Sequence, residues 1–343
     1  MPRIKKNIIS GLFSFSILMG STPLEYTLSL TGGYDNNVMR FSKDEFQDAA
    51  NNRSLMGGAS TFDSFVSKLG ISARKPLWIN GKKSIQIYGF FSYSDYQHTP
   101  EKKYESYGLD LSFKRGSYKS IKYSVRHLDK FYLRHYVDRD ISTDALAACL
   151  FTDRNQSVTL TERFSKKVWI NLGAGFLQRY YEKPFSEFDL DIVYLKGKLN
   201  YKIKKVGSIS VQINRGSALS ESHFDSRPSS FNRSYETMEW YVPFKMTKNV
   251  PWFKEIGFSA REETRIYEAE DPNDPLHAGR SHTDSKYDVW LKKNLVESVD
   301  VIFTTRYRVR TTNSAYDWVT DLKSFKQIQC WLKIEWDLHY DRY

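Results

Sequence analysis

Alternation between apolar and polar residues, repeated along almost the whole chain, is the feature that most constrains the fold. In the stretch YGLDLSF, which begins at Tyr107, every second residue is apolar and the residues between are glycine or polar. Successive side chains of a strand point to opposite faces, so such a stretch forms a strand with one apolar and one polar face. From Leu24 onward about fourteen segments share this pattern, and essentially none has the period of a helix. The predicted strands span residues 24–38, 61–73, 84–96, 103–114, 120–130, 155–164, 168–181, 188–203, 208–218, 233–246, 255–267, 282–293, 299–312 and 322–340.

Two architectures fit this alternation, and they differ in which face lies inside. A soluble sandwich buries its apolar faces against each other, whereas a membrane barrel turns them outward to lipid and encloses the polar faces. Most of the predicted segments run for about ten residues or more, the length that a tilted transmembrane strand needs. Strand length therefore favours the barrel.

The lengths of the connections alternate along the chain. Those after even-numbered strands are short, such as RGSYK and SKK, whereas those after odd-numbered strands include FSKDEFQDAANNRSLMGGAS, the stretch 133–154, LSESHFDSRPSSF and EAEDPNDPLHAGR. Short turns on one side and long loops on the other are typical of an outer-membrane barrel whose N-terminus lies in the periplasm. Aromatic residues near the short turns, among them Trp78, Trp252 and Trp336, match an interfacial girdle.

These features predict an all-β fold: a transmembrane, antiparallel, up-and-down β-barrel of about 14 strands, within a range of 12 to 16. A soluble exported β-protein is the other fold that the alternation allows. The domain prediction is a signal peptide over 1–21 and a single barrel domain over 22–343. Arg3, Lys5 and Lys6 precede the apolar stretch IISGLFSFSILMG, which is too short to span a bilayer but has the length of a signal-peptide core.

Composition excludes other classes of protein. The formal charge is +11, and removal of residues 1–21, with three positive and no negative side chains, lowers it to +8. The basic residues are interleaved with acidic ones along the strands, so no basic stripe for nucleic acid is predicted. Cys149, in a predicted loop, and Cys330, on an apolar face, have no metal or redox spacing around them. No metal site and no cofactor are predicted.

The segment GGYDNNVMRFSKDEF, followed by TFDSFVSKLGISARKPL, resembles the start of bacterial outer-membrane β-barrels of the β-barrel porin type. In that family an early strand carries a Gly-Tyr-Asp-x-Asn-like stretch, which here consists of Gly33, Tyr34, Asp35 and Asn37. The resemblance covers about the first fifth of the chain. It implies a barrel in the outer membrane and no particular solute.

The polar faces of the predicted strands are rich in Lys and Arg, which would line the lumen of a barrel. The basic residues expected to face the lumen and to set its selectivity are Arg306, Arg308, Arg310, Arg261, Arg265, Lys196, Lys198 and Lys292. Rings of Arg and Lys raise the local concentration of anions and disfavour cations. The alternative is that these cations pair with carboxylates across strands and fill a narrow lumen.

The sequence therefore predicts a porin-like channel for passive diffusion of small polar or anionic solutes. The alternative function is a non-conducting barrel whose extracellular loops bind a surface ligand or partner. The expected partners are outer-membrane lipid and lipopolysaccharide, the barrel-assembly machinery during insertion, and small solutes.

No enzyme is predicted. Two His-x-Asp pairs, His127 with Asp129 and His282 with Asp284, have the composition of a general base with its orienting carboxylate. No nucleophile elbow or zinc-binding helix accompanies them.

Overall fold

The structure, a computed structural model, describes residues 23–220, 231–248 and 250–340, and β-strands dominate them. The fourteen strands of the described residues are β1 (Leu24–Asp35), β2 (Ser64–Asn80), β3 (Lys83–Tyr96), β4 (Tyr104–Gly116), β5 (Lys119–Val137), β6 (Leu146–Arg163), β7 (Val168–Tyr181), β8 (Leu190–Ile203), β9 (Gly207–Leu219), β10 (Tyr235–Met246), β11 (Glu255–Tyr267), β12 (Ser281–Val296), β13 (Val299–Asn313) and β14 (Phe325–Tyr340). Two short helices interrupt the loops, α1 (Lys43–Asn51) and α2 (Asp317–Lys323). The predicted signal peptide lies outside the described residues.

Each strand pairs antiparallel with its neighbours in sequence, and β1 also pairs with β14, so the sheet closes on itself. The closing ladder runs from Leu24 opposite Tyr340 to Asp35 opposite Gln329. Closure gives each strand a hydrogen-bonding partner on both sides, which is what a β-structure needs where no water is present. The predicted all-β antiparallel barrel of 14 strands is confirmed.

The two ends of the barrel differ in the length of their connections, as predicted. At one end, called the turn end here, the strands are joined by short segments such as 81–82, 117–118 and 297–298. At the opposite loop end lie L1 (36–63), L2 (97–103), L3 (138–145), L4 (182–189), L6 (268–280) and L7 (314–324), and of the connection L5 the described residues 220 and 231–234. Helix α1 belongs to L1 and helix α2 to L7.

One predicted loop is wrong. The stretch 133–154 was expected to be a long connection, but β5 continues to Val137 and β6 already begins at Leu146. Cys149 is therefore a buried residue of β6 and does not lie in a loop. The pairing of β5 with β6 shifts register at two places, between Leu128 and Phe131 and between Tyr132 and His135. These irregularities change the parity of the side chains, so the period-two pattern breaks although the strands continue.

The outer wall of the barrel is apolar. Large aliphatic side chains on its outward parity are open to the surroundings, with exposures of 64% for Leu195, 57% for Leu69 and 53% for Leu30. Buried hydrophobic residues instead gather at the loop end, where Met39, Phe41, Ala49, Met56, Ala59 and Tyr132 form one cluster. An apolar outer wall around a polar interior is the arrangement of a transmembrane barrel. Among the described residues, no helix is both long enough and apolar enough to cross a membrane.

Gly33 of β1 is required by the packing of the closing strand. A Cβ atom at this position would collide with the Trp331 ring of β14 and would lie 2.7 Å from the carbonyl oxygen of Cys330. Gly33 is paired with Trp331 in the ladder, so the missing side chain lets the indole lie against the backbone of β1. Gly197 of β8 is different, because a Cβ there would meet only Leu172 at 4.0 Å.

We expect Gly33→Ala to destabilise the barrel by about 1–3 kcal/mol, because both the indole and the β14 backbone must move to admit a methyl group. Gly197→Ala is the control and should cost less than about 0.5 kcal/mol. Urea unfolding in lipid bicelles, followed by tryptophan fluorescence, measures both. Equal stability of the two variants would contradict this account of Gly33.

Candidate functional site

The eight cations predicted to face the lumen lie on the strand parity opposite to the exposed aliphatic and aromatic residues of the same strands. On β8, Lys196 and Lys198 alternate with the exposed Leu195 and Leu199. On β13, Arg306 and Arg308 flank the exposed Tyr307. On β11 and β12 the predicted cations have the parity opposite to the exposed Phe258, Ile266 and Val289. The inward cations that remain are Arg261, Arg265, Lys292 and Arg310. Their environments differ strongly from the loop end to the turn end.

Asp284 of β12 is the centre of a buried ion cluster near the loop end. Its carboxylate accepts hydrogen bonds from both the Nε (2.7 Å) and Nη2 atoms of Arg308, and from Nη2 of Arg310 at 2.8 Å. Only 1% of Asp284 and 8% of Arg308 is exposed. Inward residues of an open lumen would contact water, so this burial means that loops fill the barrel at this level.

Four further cations of the predicted set also have carboxylate partners. Arg306 donates to Asp288 at 2.6 Å, and Arg265 donates to Glu263 on its own strand. Arg261 pairs with Glu239 at 3.7 Å, and Lys292 pairs with both Asp300 at 2.8 Å and Glu335 at 3.3 Å. Six of the eight cations thus have a carboxylate partner, which lies on another strand for five of them and on the same strand for Arg265.

Lys196 and Lys198 are the exceptions. Neither forms an ion pair within 4 Å in the part of the chain that the structure describes, and both are partly exposed on the inner wall. Their register partners are neutral, with Asn214 and Gln212 on β9 and Gly173 and Asn171 on β7. The two ammonium groups therefore have no carboxylate within 4 Å among the described residues, although Glu239 is near enough to attract that of Lys196.

Loop L1 enters the loop end and closes much of it. Met39 and Phe41 belong to the buried apolar cluster, where they pack with Tyr132 of β5. Glu45 at the start of α1 forms a partly buried ion pair of 2.9 Å with Arg134 of β5. The name outer plug is used here for L1 together with helix α2 of L7.

The stretch GYDNN, residues 33–37, anchors the outer plug. Asp35 at the end of β1 accepts hydrogen bonds from Gln327 at 2.8 Å and from Gln329 at 2.7 Å. Asn37 donates to the carbonyl oxygen of Lys326 at 3.0 Å and accepts the backbone N–H of Phe41 at 2.8 Å. These bonds join L1 to β14, so the first and last strands hold the loop as well as each other.

The outer plug buries cations with few partners. The Lys102 ammonium of L2 donates to the carbonyl oxygen of Val38 at 3.0 Å and is only 4% exposed as a residue. Burial, with Arg40 nearby, lowers the pKa of Lys102 to about 7. Burial and the neighbouring Arg134 lower the pKa of Lys323 in α2 to about 7 as well. Both lysines therefore gain charge within the plug as the pH falls through neutrality.

A cavity of about 680 Å³ opens from the lumen wall toward the turn end. Strands β1, β2, β3, β13 and β14 form it. Inward side chains that line it include Ser29, Lys68, Tyr88, Arg306 and Trp331. Its volume lies in the range of small-molecule sites.

The His-x-Asp pairs do not form a common site. His127 Nε2 lies 3.7 Å from Asp129, and the exposed fraction of the Asp129 side chain is 46%. Asp284 is engaged by Arg308 and Arg310, and the Nε2 atom of the buried His282 has no hydrogen-bonding partner among the described residues. No group of three metal-ligating side chains occurs in the described part of the chain.

Fold and inner wall together define a transmembrane β-barrel with a polar, cation-rich lumen. No protein-family model matches the sequence, and no curated protein matches it. Among solved structures the chain is similar to the outer membrane protein OpdK from Pseudomonas aeruginosa, with 9% identity, a TM-score of 0.43, and coverage of 92% of this chain and 99% of that one. It is also similar to OccAB2 of Acinetobacter baumannii, with 8% identity, a TM-score of 0.43, and coverage of 94% and 100%. A third similar structure is OprD of Pseudomonas aeruginosa, with 9% identity, a TM-score of 0.41, and coverage of 92% of this chain and 95% of that one. Likenesses this distant carry no conclusion about what this chain transports.

Asp284→Asn should destabilise the barrel by about 3–5 kcal/mol, because it leaves the buried guanidinium groups of Arg308 and Arg310 without their counter-charge. Asp337→Asn is a matched control: that carboxylate is exposed and accepts one hydrogen bond, from Thr27, so the change should cost less than about 1 kcal/mol. The unfolding free energies in bicelles test the difference. A stable Asp284→Asn variant would show that the cluster is open to water.

The lowered lysine pKa values predict that the outer plug loosens at low pH. The ordinary pKa of 10.5 for Lys102 falls to about 7 in the packed state, so the unpacked state binds more protons between these values. The contribution of Lys102 to the stability of the packed plug is therefore fully present above pH 10.5 and is lost as the pH falls to 7. Hydrogen exchange of residues 43–56, corrected for intrinsic rates, should show less protection at pH 7 than at pH 9.5, and Lys102→Met should reduce the difference. Identical protection at both pH values would contradict this prediction.

Proposed function

We propose that the chain is a channel of the bacterial outer membrane that passes small polar solutes and prefers anions. The observation that carries the proposal is that Lys196 and Lys198 share the inward parity and have no carboxylate within 4 Å among the described residues. Cations within a low-dielectric wall attract anions and repel cations more strongly than they would in bulk water. The apolar outer wall places this lumen in a bilayer, and the basic N-terminal segment with its short apolar core supports export.

The partners proposed for this protein follow from its location. The outer wall contacts membrane lipid, and lipopolysaccharide surrounds the loop end of a barrel in this membrane. A closed barrel also needs assembly machinery for insertion, because its strands satisfy their backbone only when paired. The predicted single domain over 22–343 is retained in this proposal.

The outer plug favours a second candidate function, a barrel that conducts little and presents its loops to a surface ligand or partner. Asp284, Arg134 and Lys102 are inward or loop residues, and none is more than 8% exposed. This burial shows that the loop end is filled over at least part of its cross-section. Conductance distinguishes the two functions directly.

In planar lipid bilayers with a KCl gradient, the purified protein should give a reversal potential of the sign set by chloride. Changing Lys196 and Lys198 together to Glu should move the reversal potential toward that of potassium, because the local charge changes by about four units where ions pass. Lys166→Glu combined with Lys167→Glu makes the same change of charge in an exposed turn, where salt screens it, and should have a smaller effect.

Cation preference in the unmodified protein would overturn the anion-preferring channel. Absence of any conductance from protein that is folded and inserted would favour the second candidate function. Swelling of proteoliposomes in neutral and charged solutes of graded size then gives the size limit of an open channel.

A further inference from the structure

The cavity near the turn end has an aromatic platform beside two cations. Trp331 of β14 lies against Gly33, and the Lys68 Nζ atom is 5.8 Å from the centre of its ring. The Arg306 guanidinium lies 5.2 Å from the same ring. An indole held in this way by the wall offers a flat apolar surface to a solute, and adjacent cations strengthen the attraction to an anionic group.

A second aromatic surface lies on β3 in the same cavity. The ring centres of Tyr88 and Phe90 are 6.4 Å apart, and their planes are tilted by 34°. Phe90 packs where a Cβ atom of Gly108 would otherwise lie, so it too is held against the wall. Arg74 lies 5.5 Å from the Tyr88 ring. The cavity is therefore bordered by aromatic surfaces on β3 and β14, each with a cation beside it.

Hydroxyl groups line the cavity wall with spare hydrogen-bonding capacity. Ser29, Ser72, Ser92 and Thr304 all line the cavity. None of these four hydroxyls has a hydrogen-bonding partner elsewhere in the described residues. Each hydroxyl can donate one hydrogen bond and accept others, so the wall can bind a solute that itself carries several hydroxyls.

Lys68 is the cation of the cavity that remains available for an anion. Arg306 is engaged with Asp288 at 2.6 Å, Lys333 with Glu335 at 2.7 Å, and Arg74 with Glu25 at 3.9 Å. Lys68 lies opposite Thr31 in the ladder and has no carboxylate within 4 Å among the described residues. Its ammonium group therefore supplies a charge-assisted contact to a carboxylate bound over Trp331.

We propose that this cavity binds acidic monosaccharides, a uronic acid being the type, with the sugar ring over Trp331, its carboxylate at Lys68 and its hydroxyls at the serine and threonine side chains. This proposal rests on the proposed channel function and adds to it the class of solute that the channel would bind. A neutral sugar would leave Lys68 unused, and an aromatic acid would leave the hydroxyls of the wall unused. A uronic acid is the class that uses the ring, the cation and the hydroxyls together.

Binding of D-glucuronate to the full-length protein in detergent micelles, measured by isothermal titration calorimetry, tests the site without requiring conductance. We expect glucuronate to bind at least about tenfold more tightly than D-glucose, which lacks the charge, and than cyclohexanecarboxylate, which lacks the hydroxyls. Benzoate keeps a flat ring and the charge, and it should also bind more weakly. Benzoate binding as tight as glucuronate would overturn the assignment to acidic sugars.

Two pairs of variants assign the binding to these side chains. Lys68→Gln should weaken glucuronate binding about tenfold, and Lys68→Arg should restore most of it. Trp331→Leu should weaken it to a similar extent, and Trp331→Phe should retain most of it. Lys293→Gln removes one exposed charge of β12, and Trp336→Leu removes an exposed tryptophan of β14, so both are controls that should bind like the unmodified protein.

The outcomes separate this proposal from the channel proposal. Binding that depends on Lys68 and Trp331 in a protein that does not conduct would support the site and overturn the channel. Conductance without glucuronate binding, in protein whose electrophoretic mobility shows a folded barrel, would overturn the site and leave the channel intact. Binding that survives in both Lys68→Gln and Trp331→Leu would also overturn the site.

Discussion

Closure of the β1 and β14 ladder is the constraint on which the rest of this molecule depends. The ladder joins residues 24–35 to residues 329–340, so the two ends of the chain complete each other's hydrogen bonds. In a bilayer an unpaired backbone group costs several kcal/mol, so an open sheet of these strands would not be stable there. Asp35, with Gln327 and Gln329, continues the same junction into L1, so closure of the wall and placement of the outer plug share one set of residues.

The inner wall divides into two electrostatic zones. Near the loop end Arg308 and Arg310 share Asp284 in a buried cluster, where each charge depends on its partner because water is excluded. Toward the turn end the wall is wetter, and Lys68, Lys196 and Lys198 have no carboxylate within 4 Å among the described residues. The first zone holds the loops in place, and the second leaves charge available to solutes. The Lys and Arg residues on the inward face of the strands thus fall into two groups. One group is structural, and the other is available for function.

Three inward glycines of the wall lie against large aromatic rings of neighbouring strands. Gly33 accommodates Trp331, Gly108 accommodates Phe90, and Gly257 accommodates Trp290, each on a neighbouring strand. Large rings that would otherwise project into the lumen lie against the wall instead. The same pairing gives the cavity its flat apolar surfaces, so packing of the barrel and recognition of a solute depend on the same positions.

The sequence by itself determined the strands, the parity of the connections and the face on which each side chain lies, because all three follow from a local period of two. The largest error came where β-bulges near Phe131 and His135 change that period within β5, and there strand was predicted as loop. The second strand was also predicted to end at residue 73, although β2 continues to Asn80 past a bulge near Pro76, and helices α1 and α2 were not predicted. Only the tertiary structure decided which cations are neutralised. Arg308 and Asp284 are 24 residues apart, and Lys102 reaches Val38 across 64 residues, so neither contact has a local signal. Such contacts are set by the register between strands and by the path of L1 into the barrel, which the pattern of one strand does not contain.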